Sequence, residues 1–582
     1  MPKRFLQALA LLAFFAALTL GASAQTAPPA PAPILTNTAR FLPVVARHGM
    51  VASQEKLATR IGVEILQAGG NAVDAAVAVG FALAVTHPQA GNIGGGGFML
   101  VHLSGRNETI AIDYRETAPA AMTREVFLDD KGEADPNKSR DSAPGVGVPG
   151  TVAGLALAHE KYGSGKFTLG DLIAPAVKLA REGFSVDDDL ADSLPRAQPR
   201  LARWPSAAAI FLKPDGAALG RGDRLVQNDL AVTLEAIAAH GTRAFYDGDI
   251  ADRIVTSLRR HGGLITRDDL KNYRAIERVP VRGTYRGFEI ASMPPPSSGG
   301  VHLIEILNIL EGFPLRESGA ASAATLHLMI EAMKPAYADR AEFLGDPAFV
   351  NVPVAGLTSK RYAAELRKAI DPERARPAQS VHAGNPAAHE GDNTTHFSVV
   401  DRDGNAVANT YTLNFSYGLG LVAEGTGVLL NNELDDFAAK PGAANAYGLI
   451  GGDANAPGPG KRPLSSMSPT IVFRDGRVFL VTGTPGGSRI ITTVLQVLLN
   501  VIDHQMNIAE AVAAPRIHHQ WMPDIVFAER GLSPDTIRLL EARGHKVIVT
   551  ATSGSANSIM LNADGPAGAA DPRQRGTLAK GY

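Results

Sequence analysis

The sequence predicts a folded protein of the α+β class, in which helical stretches are combined with antiparallel hairpins. Hydrophobic residues make up 45% of the 582 residues and charged residues 20%, so a large core is available and wholesale disorder is excluded. Two β-rich runs turn at Asp-Gly pairs, Asp403-Gly404 and Asp475-Gly476, which are strong hairpin signals. The region before these hairpins, residues 150–390, has mostly helical patterns with short extended pieces.

Composition also excludes several functions. The chain has 56 Lys and Arg residues against 58 Asp and Glu, and a formal net charge of −2, which argues against a dedicated nucleic-acid-binding protein. The absence of cysteine excludes disulfides, thiolate metal sites and cysteine nucleophiles. The 60 glycines and 38 prolines indicate many tight turns and close backbone approaches.

The N-terminus has the pattern of a secretory signal peptide over residues 1–24. A short basic region precedes an apolar run from Phe5 to Leu20, and Ala22-Ser23-Ala24 is a small-x-small cleavage sequence. The alternative is a retained membrane anchor, but the apolar run is short for a span. Residues 25–44 are predicted to form a tether that begins with a Pro/Ala-rich stretch. We therefore expect an exported protein, periplasmic or secreted, with no stable membrane span.

Two helices and a glycine run follow the tether. Ser53 is predicted to cap a helix that ends at Gly69-Gly70, and Asn71 to cap a second helix that is apolar on nearly every face and therefore buried. The run Gly94 to Gly97 lacks the Lys-Ser/Thr of a phosphate-binding loop and leads into a strand, so a packing or close-approach role is predicted for it.

The first hairpin brings threonine hydroxyls together. A two-residue turn at Asp403-Gly404 would place Thr395 opposite Thr412, and a slip of one residue would place Thr394 there instead. Threonine pairs are often purely structural. However, a polar segment, residues 374–393, which we expect to be exposed, runs directly into Thr394. A chain cut before a threonine supplies its own general base, because the freed α-amine has a pKa of about 7.7–8.0.

Three other features are candidates for function. Gly486 and Gly487 close the second hairpin and open a helix, where their N–H groups either stabilise an oxyanion or form an ordinary strand-to-helix turn. Residues 438–461 form a long irregular stretch, either an active-site lid or a surface excursion. The pair His518-His519 is a poor metal site, because adjacent side chains on a strand point apart.

Several long motifs resemble the γ-glutamyltranspeptidase family. They are NAVDAAVAVGFALAVTHPQAGNIGGGGFML, DYRETAP, NTTHFSVVDRDGNAVANTYTLN, NNELDDFAAKPG, KRPLSSMSPT, TPGGSRI and GAADPRQRGTLAKGY. The resemblance runs from about residue 45 to the C-terminus. It implies the four-layer αββα fold of N-terminal-nucleophile hydrolases, built from two chains after autocleavage between Asn393 and Thr394. The products would be a large subunit, residues 45–393, and a small subunit, residues 394–582, which form one interwoven domain.

The resemblance also implies the roles of the site residues. Thr394 would be the nucleophile, Thr412 would hydrogen-bond it, and the N–H groups of Gly486 and Gly487 would hold the oxyanion. Arg115, Ser465 and Ser466 would bind the α-carboxylate of a glutamyl substrate, and Asn414, Glu433 and Asp436 would bind its α-ammonium. Tyr447 would cover the pocket as part of a lid. No metal or other cofactor is implied.

The expected activity is that of a γ-glutamyltransferase and glutathione hydrolase. Its substrates would be small molecules, namely glutathione and other γ-glutamyl compounds, with water, amino acids or peptides as acceptors. A related acylase that acts on glutaryl-cephalosporin-type amides is one alternative. A non-catalytic exported binding protein, whose glycine-rich loops serve a ligand, is the other.

Overall fold

Two seven-stranded β-sheets, packed face to face, form the centre of the molecule. The structure is a computed structural model and describes residues 41–385, 395–445, 448–551 and 554–582. The strands, in chain order, are β1 (Val44–Val45), β2 (Met50–Ser53), β3 (Gly96–Leu103), β4 (Glu108–Tyr114), β5 (Phe184–Ser185), β6 (Arg224–Leu225), β7 (Ile276–Arg278), β8 (Val281–Tyr285), β9 (Phe288–Ser292), β10 (Thr395–Val400), β11 (Ala406–Thr412), β12 (Thr470–Arg474), β13 (Arg477–Thr482), β14 (Ile517–His518), β15 (Val526–Glu529), β16 (Val547–Thr550), β17 (Ser558–Asn562), β18 (Gly565–Ala569) and β19 (Leu578–Gly581).

The helices lie on the outer faces of these sheets. In chain order they are α1 (Lys56–Gln67), α2 (Ala72–Thr86), α3 (Pro136–Arg140), α4 (Thr151–Tyr162), α5 (Leu169–Glu182), α6 (Asp188–Leu201), α7 (Pro205–Phe211), α8 (Asn228–His240), α9 (Thr242–Tyr246), α10 (Asp249–Arg259), α11 (Arg267–Asn272), α12 (Gly299–Leu310), α13 (Leu315–Ser318), α14 (Ala323–Phe343), α15 (Val354–Leu357), α16 (Lys360–Lys368), α17 (Arg489–Ile502), α18 (Ile508–Ala513) and α19 (Pro534–Ala542). Among the described residues, no helix is long and apolar enough to cross a membrane.

Three apolar cores separate four layers. The first sheet has the order β19-β2-β10-β11-β3-β4-β7 and packs against α1, α2 and α5. The second has the order β1-β18-β17-β13-β12-β9-β8 and packs against α12, α14 and α17. A third core, with Phe98, Leu100 and Ile471 among its members, fills the space between the two sheets. The layers are therefore helix, sheet, sheet and helix, which confirms the predicted αββα fold.

The first two helices follow the sequence pattern, with one correction. The prediction that Ser53 caps α1 is wrong: Ser53 ends β2, and the carboxylate of Glu55 accepts from the backbone N–H of Leu57 and Ala58 instead. A carboxylate two residues further on reaches the free N–H groups more directly. Asn71 caps α2 as predicted, in a capping box with Asp74, and all 15 residues of that helix are buried.

The two Asp-Gly hairpins differ. Asp475 and Gly476 form the predicted two-residue turn, with φ of 53° and 72°. The prediction of a two-residue turn at Asp403-Gly404 is wrong, because residues 402–404 form a three-residue turn closed by Asp401. The Asp401 carboxylate accepts from the N–H groups of Asp403, Asn405 and Ala72, and this tertiary contact fixes the longer turn. Thr395 consequently pairs with Tyr411 and not with Thr412.

The segment before the predicted cleavage site is described to residue 385. The prediction that it is exposed holds only in part, since Ala378 and Val381 are buried. The indole Nε1 of Trp521 donates to the carbonyls of both residues at 2.9 Å. Apolar burial and these hydrogen bonds outweigh the polar composition of the segment.

Candidate active site

The predicted site residues converge at one edge of the first sheet. Thr412, the last residue of β11, pairs with Gly96 on β3, and the neighbouring Gly97 pairs with Tyr114, the last residue of β4. Arg115 follows Tyr114 directly. Because neighbouring strands are about 4.8 Å apart, Thr412 and the start of the Arg115 side chain are separated by roughly 10 Å across the sheet.

The glycine run of the sequence packs between these strands. A Cβ atom on Gly95 would lie 1.9 Å from the carbonyl oxygen of Thr412, and one on Gly96 would lie 2.6 Å from Glu116 Oε2. Any larger residue would therefore push the two sides of the site apart. The predicted close-approach role of Gly94–Gly97 is confirmed.

Arg115 forms the centre of a buried ion-pair cluster. Its Nη1 donates to Glu433, and its Nη2 donates to Asp436 Oδ2 at 2.6 Å. The remaining contacts are to the carbonyls of Pro463 and Leu464, each at 3.1 Å, in the segment that precedes Ser465 and Ser466. The structure thus brings together residues that are more than 300 positions apart in the chain.

The cluster contains more acidic groups than basic ones. Glu116 Oε2 lies 4.0 Å from Arg115 Nη1, so three carboxyl groups surround one guanidinium, and all four side chains are buried. Burial raises the pKa of Glu116 to about 7, although Arg115 opposes this change. Burial likewise raises the pKa of Glu433 well above its ordinary value. A ligand that carries a cation would stabilise the ionised form of these carboxyl groups.

Four polar atoms of the cluster and its neighbour Ser466 have no hydrogen-bond partner among the described residues. They are both carboxyl oxygens of Glu116, Glu433 Oε2 and the hydroxyl oxygen of Ser466, and all four are buried. Ser465 Oγ accepts from the Met467 N–H at 3.4 Å. Buried polar atoms are almost always paired, so unpaired ones at the same place indicate a ligand position.

A cavity of about 150 Å³ lies between Asp436 and the irregular loop 438–461. Its lining includes Asp435 and Asp436 on one side and residues 443–445 and 449–451 on the other. The loop therefore covers the acidic end of the cluster, which is where the sequence predicts a lid. Tyr447 itself lies outside the described residues.

Thr412 and Asn414 are held by the backbone around them. The Asn414 N–H donates to Thr412 Oγ1 at 2.7 Å, and the Asn414 amide donates to the carbonyl of Asn432 at 3.0 Å. Because Thr412 Oγ1 accepts this bond, its own proton is left to donate to another oxygen. Asn414 thus reaches the backbone of the residue before Glu433.

The two glycines predicted for an oxyanion hole lie in the loop between β13 and α17. Gly486 has φ of 136° and Gly487 of 62°, conformations that favour glycine. Within the described residues, neither N–H group donates to a protein acceptor, while their carbonyls accept from Arg489 and Ile490. Pro485, just before them, lines the same cleft as Thr412.

The predicted cleavage site lies outside the described residues, because Asn393 and Thr394 are not among them. The register of β10 and β11 still bears on it. Thr395 pairs with Tyr411 and His396 with Thr410, which is the slipped register considered above.

No histidine pair in the described residues offers an open metal site. His518 contacts Thr492 and Gln520, and His519 contacts Asp524 at 3.1 Å. A second group, His327, Glu331 and His545, has ligand atoms within 4.8 Å of one another. There the Glu331 carboxylate already accepts from Lys334 and Arg376, so a metal ion would meet a buried ammonium.

Sequence reasoning missed Glu116 as a member of the site. It directly follows Arg115 in the DYRETAP motif, and two adjacent charged residues after an apolar strand were the only available indication. The geometry shows its importance, since its carboxyl faces both the guanidinium and the glycine run.

The four layers place the chain among the N-terminal-nucleophile hydrolases. A solved structure described as cephalosporin acylase from Bacillus halodurans superposes with a TM-score of 0.83 at 30% identity, covering 95% of this chain and 99% of that one. Residues 58–581 match the Gamma-glutamyltranspeptidase family, and the chain therefore belongs to the γ-glutamyltranspeptidase family.

Its relatives in that family are close in sequence. The chain is 55% identical over 564 residues to the "Glutathione hydrolase proenzyme" of Escherichia coli (strain K12), with 96% of each chain covered. It is 50% identical over 558 residues to a protein of the same description from Pseudomonas sp. (strain A14), covering 94% of this chain and 96% of the other. Identity at this level over nearly full length indicates a shared fold.

Proposed function

We propose that the protein is a γ-glutamyltransferase and glutathione hydrolase that matures by cutting itself between Asn393 and Thr394. It cleaves γ-glutamyl amides through a glutamyl ester on Thr394. It then passes the glutamyl group to water, an amino acid or a peptide. Residues 1–24 act as a signal peptide, so the enzyme works after export.

The observation that carries this proposal is the buried cluster around Arg115. An α-amino acid end carries one carboxylate and one ammonium. The cluster offers a guanidinium and the Ser466 hydroxyl to the carboxylate, and an excess of carboxyl groups to the ammonium. In the free enzyme Arg115 pairs with Glu433 and Asp436. In a bound zwitterion, the carboxylate would pair with Arg115 and the ammonium with Glu433 and Asp436, in place of part of the contacts among these side chains. The glutamyl side chain would then extend about two strand spacings toward Thr412.

The reaction follows from the groups at the strand edge. The Thr394 oxygen attacks the γ-carbonyl carbon, and the α-amine of Thr394 takes the hydroxyl proton. The N–H groups of Gly486 and Gly487 stabilise the oxyanion, and their lack of described protein acceptors supports this role. The α-amine then gives the proton to the leaving amine as the carbon–nitrogen bond breaks. The Thr412 hydroxyl donates to the Thr394 oxygen and keeps it aligned.

Maturation uses the same nucleophile on the chain itself. The Thr394 oxygen attacks the carbonyl carbon of Asn393, a carbon–oxygen ester bond replaces the carbon–nitrogen peptide bond, and the released Thr394 nitrogen takes up the hydroxyl proton. Water then hydrolyses the ester, which gives the Asn393 carboxylate and restores the Thr394 hydroxyl. The proenzyme descriptions of the two close relatives support this step. Each sheet contains strands from both sides of residue 394, so the two pieces would remain together.

A glutaryl amide acylase is the second candidate, because the superposed cephalosporin acylase shares the fold. A glutaryl group has the distal carboxylate but lacks the α-ammonium. The three carboxyl groups around Arg115 would then receive no cationic group from the ligand, which disfavours this substrate. The higher identity to glutathione hydrolase proenzymes points the same way.

Two measurements test the proposal. N-terminal sequencing of the two bands on a denaturing gel should give a smaller piece that starts at Thr394. Hydrolysis of γ-glutamyl-p-nitroanilide should exceed that of glutaryl-p-nitroanilide. Activity on the glutaryl compound alone would establish the acylase instead, and an intact chain without either activity would favour a binding protein.

A further inference from the structure

Residues 375–384, which we name the strap, lie shortly before the proposed cut and are bound to the molecule at several points. In the middle of the strap, the Ala378 N–H donates to Asp524 Oδ2 at 2.8 Å. The indole of Trp521 donates to the carbonyls of Ala378 and Val381, each at 2.9 Å. Trp521 and Asp524 belong to the part of the chain after the proposed cut. The proposed small subunit therefore holds a segment of the proposed large one.

Both ends of the strap are fixed by buried side chains of α14. At the first end, Lys334 donates to the carbonyl of Arg376, and Arg376 Nε donates to Glu331 Oε2 at 2.8 Å. At the other end, the Gly384 N–H donates to Asp339 Oδ1 at 2.7 Å. Glu331, Lys334 and Asp339 are all buried. Release of the strap would leave these buried groups short of hydrogen bonds, so the strap is a fixed part of the fold.

A buried histidine fixes the turn that holds the strap. The Trp521 backbone N–H donates to His519 Nδ1 at 3.1 Å, and His519 Nε2 donates to Asp524 Oδ1 at 3.1 Å. Because Nδ1 accepts a hydrogen bond, the ring proton is on Nε2, and the two contacts require the same neutral tautomer. His519 is fully buried. Its role is therefore to hold Trp521 and Asp524 in place against the strap.

The proposed cut lies between two fixed parts of the chain. On one side, Thr395 is buried as the first residue of β10 and pairs with Tyr411. On the other side the strap ends at residue 384, so the ten residues 385–394 connect the two anchors. The helix before the strap, α16, ends at Lys368, so without the strap this connection would more than double in length. A shorter connection restricts the directions in which the chain can leave β10. Fixing the backbone of a single residue corresponds to a factor of roughly five or more in population.

We infer that Trp521 is a positioning residue for the self-cleavage, and that it acts through the strap by fixing the chain upstream of the scissile bond. This inference rests on the proposed function, because it concerns the cut proposed there between Asn393 and Thr394. Trp521 takes no part in the bond changes, which remain those of the Thr394 oxygen, the Asn393 carbonyl and the released nitrogen. Among the described residues that line them, neither the cavity beside Asp436 nor the cleft beside Thr412 includes Trp521. Its contribution is therefore to maturation and not to turnover.

The test compares the rate of cleavage with the activity of the cut enzyme. Cells that express the full chain are labelled in a short pulse, and a denaturing gel gives the half-time for conversion of one band to two. Trp521→Phe removes both indole hydrogen bonds and keeps an aromatic ring, so it should lengthen this half-time about fivefold. Once cut, the variant should have the same kcat and KM for γ-glutamyl-p-nitroanilide as the unaltered enzyme.

Gly384→Ala tests the other end of the strap without altering the indole. A Cβ on Gly384 would lie 2.0 Å from the Tyr362 hydroxyl, so the strap would have to move there, and cleavage should again be slower. Gly105→Ala is its matched control, because no atom lies within 4 Å of the added Cβ. The matched control for the first variant is Trp204→Phe. It also removes an indole hydrogen bond, to the carbonyl of Leu419 at 3.2 Å, but in the core beside the first sheet. Both controls should be cut at the rate of the unaltered chain.

An unchanged half-time in either strap variant overturns the inference and leaves the proposed function intact. An equal delay in Trp204→Phe also overturns it, because lost stability alone would then slow the cut. So does a loss of kcat/KM in cut Trp521→Phe as large as the delay, since the indole would then act on turnover as well. If the unaltered chain is never cut, the proposed function fails, and the inference with it.

Discussion

Replacing Glu116 by glutamine should make the folded protein more stable at high pH. Burial raises the pKa of Glu116 from 4.5 to about 7, so the folded state keeps this proton when the unfolded chain has already lost it. The contribution of Glu116 to the free energy of unfolding is therefore fully present below pH 4.5. It falls between pH 4.5 and pH 7 and is lost above pH 7. The difference between a pKa of 4.5 and one of about 7 corresponds to about 3 kcal/mol, with the attraction of Arg115 already included.

Glutamine has the same shape and does not ionise, so it avoids this loss. Neither oxygen of Glu116 has a hydrogen-bond partner among the described residues, which means that the substitution breaks no such bond. Near pH 4.5 the variant and the unaltered protein should have the same free energy of unfolding. At pH 8 the variant should be more stable by up to about 3 kcal/mol.

The assay is urea unfolding of the processed enzyme, followed by circular dichroism at pH 4.5 and pH 8. Glu289→Gln is the matched control, because Glu289 is 46% exposed and pairs with Arg282 at the surface. Its effect should stay within about 0.5 kcal/mol at both pH values. Equal destabilisation of Glu116→Gln at both pH values would refute the reasoning, because it would mean that the ionised carboxylate stabilises the fold.

Three further predictions concern maturation, binding and the hairpin turn. Thr394→Ala should remain a single chain without activity, whereas Thr395→Ala should still be cut. A denaturing gel shows whether each variant runs as one band or two, and cleavage of Thr394→Ala would mean that Thr394 is not the nucleophile. Arg115→Lys should raise KM for γ-glutamyl-p-nitroanilide by roughly tenfold, because a point charge cannot contact Glu433 and Asp436 together; steady-state kinetics with an unchanged KM would contradict the pocket assignment. Gly476→Ala should lower the free energy of unfolding by about 1 kcal/mol, because a φ of 72° strains any residue with a Cβ. No atom lies within 4 Å of the added Cβ, so a steric clash does not contribute. Urea unfolding measures the loss, and an unchanged free energy of unfolding would mean that the turn relaxes.

Local chemistry allowed much of the fold to be predicted from sequence. The hairpin at Asp475-Gly476 and the buried helix α2 depend on residues close together in the chain, and both appear as expected. The hairpin at Asp403-Gly404 contains the same dipeptide but has a longer turn. The difference comes from Asp401, whose carboxylate also binds the N-terminus of α2 more than 300 residues earlier, a contact without a local sequence pattern.

The site shows the same division. Family motifs allowed Arg115, Glu433 and Asp436 to be predicted, and the structure brings them into direct contact. The cleft beside Thr412, lined by Gln54 and Asp189, had no such indication. Gln54 and Asp189 are far apart in the sequence, and neither belongs to a recognisable local motif. Only the fold brings both into the lining of this cleft.

The central position of β10 has a consequence for how the processed protein would behave. This strand is bordered by β2 on one side and β11 on the other, and β2 comes from the part of the chain before residue 394. Release of the smaller polypeptide would require the hydrogen bonds of both sheets to be broken at once. The two polypeptides of the cut molecule should therefore separate only on denaturation, and dilution should have no effect on their association.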